Sequence, residues 1–260
     1  MSYLYHLKLN KKMIQGAKIA LMPGDPFRSQ LIADAISQTY GGNNKRLAWN
    51  REYCTYLART NNARLLVTST GIGGPSTSIA VDELAQVGIE AFIRVGTTGA
   101  IQRNINIGDV IITTGAARMD GASTHYAPIE FPAVAHHEIV NGLIEGAKNA
   151  EIRCHVGITA SSDTFYPGEE RRDSFRGYIL RRFQGAKKEW QNLHVLNYEM
   201  ESSTLLTLTA SMGLKGGCIT GVINKGGGER ITKKALKVGE ENAIKVSVAA
   251  LGHLVNVLLK

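Results

Sequence analysis

The stretch RVGTTGA, from Arg94 to Ala100, follows the apolar strand AFI, from Ala91 to Ile93. It carries one guanidinium and two hydroxyls, and its two glycines favour a turn at the end of the strand. Backbone N–H groups, a cation and hydroxyls that meet at such a turn are well suited to bind a small anion. The stretch therefore predicts an anion-binding turn at the carboxyl end of a buried strand.

Two further glycine turns follow predicted strands. PGDPFR, from Pro23 to Arg28, follows the strand at 18–20, and TGIGGPS, from Thr70 to Ser76, follows the strand at 65–67. Each turn alone is equally compatible with ordinary turn chemistry and a solvated arginine. The three together favour a phosphate pocket, because the carboxyl ends of parallel strands meet at the same edge of a sheet.

Strand-like and helix-like segments alternate along the chain, which is typical of βαβ units. Strands are predicted at 53–58, 65–68, 91–95, 109–114, 154–160 and 217–223, and helices at 30–36, 76–87, 135–150, 204–212 and 244–258. The segment 171–193 shows no clear periodicity, and the glycines at 226–228 predict a flexible loop. No linker or repeat divides the 260 residues, so we predict one α/β domain over residues 1–260.

Composition excludes several classes of protein. Apolar residues make up 43% of the chain and charged residues 20%, as in a globular protein, and no apolar run is long enough to span a bilayer. The formal charge is +8, but the basic residues are scattered and match no nucleic-acid-binding motif. Three widely spaced cysteines, and an N-terminus without the order of a signal peptide, favour the reducing cytoplasm. We therefore expect a cytoplasmic protein that binds neither nucleic acid nor a membrane.

Two further polar segments are candidates for a binding site. In NYEMESS, from Asn197 to Ser203, two carboxylates two residues apart on an extended segment point to the same side. Glu201 is equally suited to accept hydrogen bonds from sugar hydroxyls and to complement the dipole of the helix that begins there. The segment SSDTFYPGEER, from Ser161 to Arg171, combines aromatic and polar groups that suit a flat heterocycle, although a surface turn would have the same composition.

Common cofactor motifs do not occur in the sequence. In TGIGGPS, Ser76 stands where the dinucleotide fingerprint requires its third glycine. No G-x-x-x-x-G-K-[ST] loop and no metal-ligand spacing is present. The sequence therefore predicts no nicotinamide, nucleoside triphosphate or catalytic metal.

Four segments closely resemble the nucleoside phosphorylase family. They are PGDPFR (23–28), STGIGGPSTSIAVDELAQVGI (69–89), RVGTTGAI (94–101) and NYEMES (197–202). DGASTHYAPIEFPAVA (120–135) and TASSDTFYPGEER (159–171) extend the resemblance, which covers nearly the whole chain and is weakest at 39–45, 171–187 and 226–260. It implies a three-layer α/β fold in which helices flank a central mixed, twisted β-sheet.

The resemblance also implies an enzyme, a pentosyltransferase of nucleoside salvage. Members of the family split the N-glycosidic bond of a nucleoside with inorganic phosphate, giving ribose 1-phosphate and the free base, and uridine is the expected substrate here. Phosphate is then a co-substrate, and no cofactor is implied. The bacterial members are homohexamers built as trimers of dimers, so the implied partners are nucleoside, phosphate and further copies of the chain.

Site residues follow from the resemblance, position by position. Those implied for phosphate are Gly24, Arg28, Arg51, Arg94 and Thr97, and those for ribose are His6, Thr97, Met200 and Glu201. Those implied for the base are Thr98, Gly99, Phe165, Glu169, Arg171, Ile223 and Lys225. The catalytic role falls to Arg94, Glu201 and His6, and His6 and Arg51 are expected to come from a neighbouring subunit. A structural monovalent cation, potassium, is implied at Glu52, Ile72 and Ser76, where two subunits meet.

The base pocket departs from the family pattern. Glu169 stands where the bacterial uridine-cleaving members have Gln, and Lys225 replaces an arginine. An ionised Glu has no donor for uracil O2. Either Glu169 is protonated or turned away and uridine remains the substrate, or the pocket prefers 6-oxopurines such as guanine, with O6 facing Arg171.

Two rival functions remain compatible with the same family. A nucleoside hydrolase would use water, and would not need Arg28, Arg51 and Arg94 around one anion. A nonenzymatic nucleoside-binding protein would retain affinity without turnover. The sequence does not decide between ribose and 2-deoxyribose, nor whether the 226–228 loop closes over the substrate.

Overall fold

The computed structural model describes residues 3–226 and 230–259. Its strands are β1 (Ile19–Met22), β2 (Lys45–Asn50), β3 (Tyr53–Arg59), β4 (Arg64–Thr68), β5 (Ala91–Ala100), β6 (Val110–Met119), β7 (Ala133–Val134), β8 (Cys154–Ser162), β9 (Asn197–Glu199) and β10 (Lys215–Lys225). Its helices are α1 (Pro26–Tyr40), α2 (Gly74–Val87), α3 (His137–Asn149), α4 (Ala186–Asn192), α5 (Ser202–Ser211) and α6 (Lys233–Leu258), with 3₁₀ turns at Ala122–His125 and Arg181–Phe183. Gly227 and Gly228, which belong to the predicted flexible loop, lie outside the described residues.

Strand β5 is the centre of a mixed sheet. It pairs in parallel with β1 and β10 and antiparallel with β9, and β1 continues through β4 and β3 to β2. On the other side, β10 pairs with β6, β6 with β8, and β8 with β9, so this set of pairings closes on itself. The carboxyl ends of β1, β4 and β5 therefore meet at one edge of the sheet.

Among the described residues, apolar side chains from both faces of the sheet form two large cores and two small ones. Leu21 and Ile93 face a core that α1, α3 and α6 cover, whereas Ala20 and Phe92 face a core that α2 and α5 cover. This follows from the alternation of side chains along each strand. The predicted three-layer α/β fold, a mixed sheet flanked by helices, is confirmed.

The prediction that RVGTTGA forms a turn is wrong, because β5 continues to Ala100. The residues from Gly96 onward pair in parallel with Thr220 and the residues that follow it in β10. Neither Gly96 nor Gly99 has a positive φ. A Cβ on Gly96 would lie 2.8 Å from Arg94 Nη2, and one on Gly99 would lie 2.8 Å from Asn224 Oδ1. These glycines therefore make room for side chains rather than for a turn.

The other two glycine stretches are turns, as predicted. Asp25 caps α1 by accepting a hydrogen bond from the Phe27 N–H at 2.9 Å, and Pro26 occupies the first turn of that helix. After β4, Gly71 and Gly73 adopt φ of 71° and 91°, where a side chain would be strained. The two turns are joined by the hydrogen bond from Gly71 N to Gly24 O at 3.0 Å.

Candidate functional site

A pocket of about 680 Å³ opens at the edge where β1, β4 and β5 end. Most of the residues predicted for the site line it: Gly24, Arg28, Glu52, Ile72, Ser76, Arg94, Thr97, Thr98, Gly99, Phe165, Glu169, Met200, Glu201 and Ile223. Asp25, Gly71, Tyr198, Glu199, Asn224 and Ile231 also line it. Residues that are spread over the sequence from Gly24 to Ile231 thus meet around one cavity.

Four predicted site residues do not line this pocket. His6 Nδ1 lies 2.8 Å from Glu83 Oε1, and Arg51 is exposed. Arg171 is bound to Asp173 through two N–H···O contacts of 2.7 and 3.1 Å. Lys225 Nζ donates to the backbone carbonyls of Arg103 and Ile105, and lines a separate depression of about 270 Å³.

Arg94 is the central charged group of the pocket. Its side chain is 6% exposed, its Nε donates to Glu199 Oε2 at 2.8 Å, and its Nη2 pairs with Glu201 Oε2. Burial alone would lower the pKa of Arg94, but Glu201 and Glu199 hold it above its ordinary value. Its buried Nη1 finds no acceptor among the described residues. Because an unpaired buried donor is costly, this N–H is suited to a bound anion.

Glu199 and Glu201 divide two tasks between them. Glu199 accepts from Ser202 N at 3.0 Å and from Ser202 Oγ at 2.5 Å, so it satisfies the first donors of α5. Glu201 accepts instead from Gly73 N at 2.6 Å and faces the pocket beside Arg94. Burial raises the pKa of Glu201, Arg94 opposes this, and Glu199 adds to it. This arrangement favours Glu201 as a pocket acceptor over a helix-dipole role.

Arg28 supplies the second cation of the pocket from the first turn of α1. Its side chain is 9% exposed and pairs with Glu240 of α6, with Nε 3.1 Å from Glu240 Oε1. The pocket therefore holds two arginines whose carboxylate partners compete with any incoming anion.

Phe165 and Glu169 line the part of the pocket built by the loop after β8. The Arg171 guanidinium stacks on the Phe165 ring, with 4.4 Å between Cζ and the ring centroid. Glu169 is 6% exposed, and none of the described residues forms a hydrogen bond or ion pair with its carboxyl. Burial raises the pKa of Glu169 to about 8, Arg171 opposes the shift, and Glu199 and Glu201 reinforce it.

Sequence reasoning missed three carboxylates that organise the site. Glu83 accepts from the backbone N–H groups of His6 and Leu7 as well as from the imidazole, at 2.8–3.2 Å. Glu240 pairs with Arg28, and Asp120 accepts from Ser203 Oγ at 2.6 Å and so fixes the start of α5. Their partners are distant in the sequence, and no local pattern identifies them.

Two classes of site are not found in the described part of the chain. No helix within 3–226 or 230–259 is both long and apolar enough to cross a membrane. Nor do these residues include a group of three or more His, Cys, Asp or Glu arranged to hold a metal ion.

The chain is similar to several characterised proteins. A family model described as "Phosphorylase superfamily" matches residues 18–255. The uridine phosphorylase of Escherichia coli strain K12 is 50% identical over 254 residues, which cover 97% of this chain and 98% of that relative. The uridine phosphorylase of Thermococcus kodakarensis is 41% identical over 90% of this chain and 81% of its own length. The guanosine phosphorylase of Halorubrum lacusprofundi is 36% identical over 78% of this chain and 76% of its own length.

Proposed function

The chain belongs to the phosphorylase superfamily, as its sequence segments predict, and we infer that it splits uridine with inorganic phosphate. The products are ribose 1-phosphate and uracil, so the enzyme is a pentosyltransferase that serves nucleoside salvage. One observation carries the mechanism: the buried guanidinium of Arg94 has an unpaired N–H in the pocket and is held there by two carboxylates.

The geometry of β5 separates the reacting groups. From Arg94 to Gly99 the strand spans about 16 Å, which leaves room for a sugar between an anion at Arg94 and a base near Gly99. Arg94 and Arg28 orient phosphate below the anomeric carbon, where it stabilises the positive charge that develops on the sugar and then attacks it. Glu201 accepts from the sugar hydroxyls, and Phe165 offers a ring face to the base.

Phosphate dependence of base release tests this function. Uridine incubated with the enzyme should release uracil only when phosphate is present, with one ribose 1-phosphate formed for each uracil. Equal release without phosphate would identify a hydrolase instead. Tight nucleoside binding without turnover at any phosphate concentration would identify a binding protein.

A second substrate class is favoured by one observation, the carboxyl of Glu169. When ionised, this group has only acceptors, which suits a base with two adjacent donors such as guanine better than uracil. One of the relatives is named a guanosine phosphorylase. Guanosine and inosine therefore belong in the first substrate panel beside uridine.

Release of Arg28 from its partner should improve phosphate binding. In Glu240→Gln, phosphate no longer competes with a carboxylate for Arg28, so the KM for phosphate should fall by about two- to fivefold, the scale of a partly exposed ion pair. Glu241→Gln is the matched control, because Glu241 pairs with Lys237 at 3.8 Å on the surface. A higher KM in Glu240→Gln than in Glu241→Gln would show that Glu240 instead orients Arg28 for binding.

The charges of the pocket favour a shared site. Within the described part of the chain, two arginines face three carboxylates, those of Glu199, Glu201 and Glu240, so these residues supply no excess of positive charge for a phosphate dianion. We propose that Arg51 of a second copy supplies it, together with His6, whose Nδ1 is already held by Glu83. Exposed apolar side chains near the pocket suit such a contact: Phe27 is 69% exposed and Ile72 78%. A dimer-built hexamer remains the expected assembly.

Mixing two inactive variants should restore activity if sites are shared. Arg28→Ala removes a cation from a chain's own site, and Arg51→Ala removes one from the partner's site. After subunit exchange at equal amounts, half of the dimers are mixed and each has one intact site, so about a quarter of wild-type activity should return. Activity that stays at the level of the separate variants, while mass analysis shows mixed oligomers, would contradict the shared site.

We also propose a monovalent cation and a compartment for the protein. Glu52, Ile72 and Ser76 lie on one rim of the pocket, and oxygen ligands such as theirs suit a hard cation. Potassium there would neutralise charge between two copies and take no part in the reaction, so its replacement by choline should weaken the oligomer and leave kcat unchanged.

The three free cysteines, Cys54, Cys154 and Cys218, are compatible with the reducing cytoplasm expected from the sequence.

A further inference from the structure

The carboxyl of Glu169 differs from the other buried carboxyls of the pocket. Glu199 and Glu201 each pair with Arg94, whereas Glu169 has no hydrogen-bond or ion-pair partner within the described residues. The residue is nevertheless buried, with only 6% of its surface exposed, and it lines the pocket together with Phe165. Because its carboxyl has no protein partner in this part of the chain, only solvent or a ligand in the pocket can satisfy it. Glu169 is therefore available to the base.

Burial and two neighbouring carboxylates favour the neutral form of Glu169, and the cation of Arg171 opposes them. On its own loop, Arg171 is engaged by Asp173, and Glu170 accepts from the backbone N–H groups of Gly185 and Lys187. From β9 and the start of α5, Glu199 and Glu201 repel a second negative charge. Tyr198 also interacts with Glu169, and its pKa is raised by burial and then by Glu169. The nearby cations are engaged elsewhere: Arg94 is bound by two carboxylates, and Lys225 donates to backbone carbonyls.

Building on the function inferred above, we propose that the protonation state of Glu169 selects the base: the neutral acid binds uracil, and the carboxylate excludes it. The neutral acid has one donor and one acceptor side by side, so its O–H donates to uracil O2 while its carbonyl oxygen accepts from N3–H. The carboxylate has two acceptors. It suits two adjacent donors, as in the N1–H and 2-amino group of guanine, and meets uracil O2 with an unfavourable oxygen–oxygen contact.

The direction of the pH dependence follows from burial. Since burial holds the pKa of Glu169 near 8, the acid form predominates at neutral pH and the carboxylate above pH 8. Uridine efficiency should then fall about tenfold for each pH unit above this value, relative to an enzyme without the titrating group. The ratio of guanosine to uridine efficiency should rise by the same factor or more.

Glu169→Gln provides the decisive comparison, because the amide keeps a donor and an acceptor at every pH. We would measure kcat/KM for uridine and guanosine from about pH 6 to about pH 9.5 in the wild type and the variant. Glu170→Gln is the matched control, since that neighbouring carboxyl serves backbone N–H groups outside the pocket. The guanosine-to-uridine ratio should rise with pH in the wild type and in Glu170→Gln, and stay constant in Glu169→Gln.

Two outcomes would overturn the proposal or its basis separately. If the guanosine-to-uridine ratio varies with pH in the same way in the wild type and in Glu169→Gln, the role of Glu169 is overturned and the function stays intact. Absence of phosphate-dependent base release in both proteins would overturn the function. In that case calorimetry with uracil alone still tests Glu169: the affinity for uracil must weaken above about pH 8 in the wild type but not in the folded variant. Equal pH dependence of this affinity in the two proteins would refute the role of Glu169.

Discussion

Arg94→Met should strongly reduce phosphorolysis and lower the stability of the protein in the same variant. Methionine keeps much of the side-chain volume but removes the cation that Glu199 and Glu201 contact. Removing one partner of a buried ion pair typically costs about 3–5 kcal/mol, because the remaining charge is uncompensated. Loss of the guanidinium from the phosphate site should lower kcat/KM by about 10³-fold. Urea unfolding and steady-state kinetics measure the two effects.

The stability loss in Arg94→Met should depend on pH with a definite sign. Burial and Glu199 raise the pKa of Glu201 while Arg94 opposes them, so without Arg94 this pKa rises further above its unfolded value. The folded variant then binds more protons than the unfolded chain. Its stability is therefore highest below the ordinary pKa of a carboxyl and decreases as the pH rises through the raised value. The difference from the wild type should shrink in acid.

Arg28→Met is the control for this prediction. Its partner Glu240 has a side chain that is 21% exposed, against 1% for Glu199 and 5% for Glu201, and can contact water, so the free energy of unfolding should fall by less than in Arg94→Met. The KM for phosphate should still rise. If Arg94→Met is as stable as Arg28→Met, then Glu199 and Glu201 do not need the cation of Arg94 to compensate their charges.

The sequence predicts a glycine turn correctly only where the glycine is needed for its own backbone conformation, a positive φ. Gly71 has φ 71°, and the turn that contains it was predicted. Gly96 also follows a buried strand, but a glycine is needed there because the guanidinium of Arg94 lies against it. A clash of this kind depends on where side chains lie after folding. The sequence analysis therefore predicted a turn where strand β5 continues, although Arg94, Thr97 and Thr98 of this stretch do line the pocket.

Contacts between distant residues account for most of what the sequence did not show. Arg94 and Glu199 are 105 residues apart, and Arg28 and Glu240 are 212 apart. Strand β2 was not predicted because KRLAWN is polar and partly exposed, as expected of a strand at the edge of a sheet. In β10 the pairing shifts between Val222 and Asn224, and such a bulge changes the alternation of side chains. This explains why the face that Lys225 occupies could not be read from the sequence.

Gly221→Ala should be the most destabilising single-methyl change in strand β10, just before the strand reaches the pocket wall. Strand β10 and helix α6 approach each other here through two glycines, and a Cβ on Gly221 would overlap the carbonyl oxygen of Gly239 and lie 2.9 Å from its Cα. A backbone carbonyl cannot rotate away as a side chain can, so α6 must shift from β10. Overpacking of this kind should cost about 3 kcal/mol, which urea unfolding measures.

Gly252→Ala separates this backbone contact from the general effect of glycine in α6. A Cβ on Gly252 would have its nearest neighbour, Tyr40 Oη, 3.6 Å away, and the residue is exposed. Alanine should therefore stabilise the helix by about 0.5–1 kcal/mol. The KM for uridine should rise in Gly221→Ala alone, since Ile223 and Asn224 follow Gly221 into the pocket wall. Wild-type stability of Gly221→Ala would mean that α6 does not rest on β10 through these two glycines.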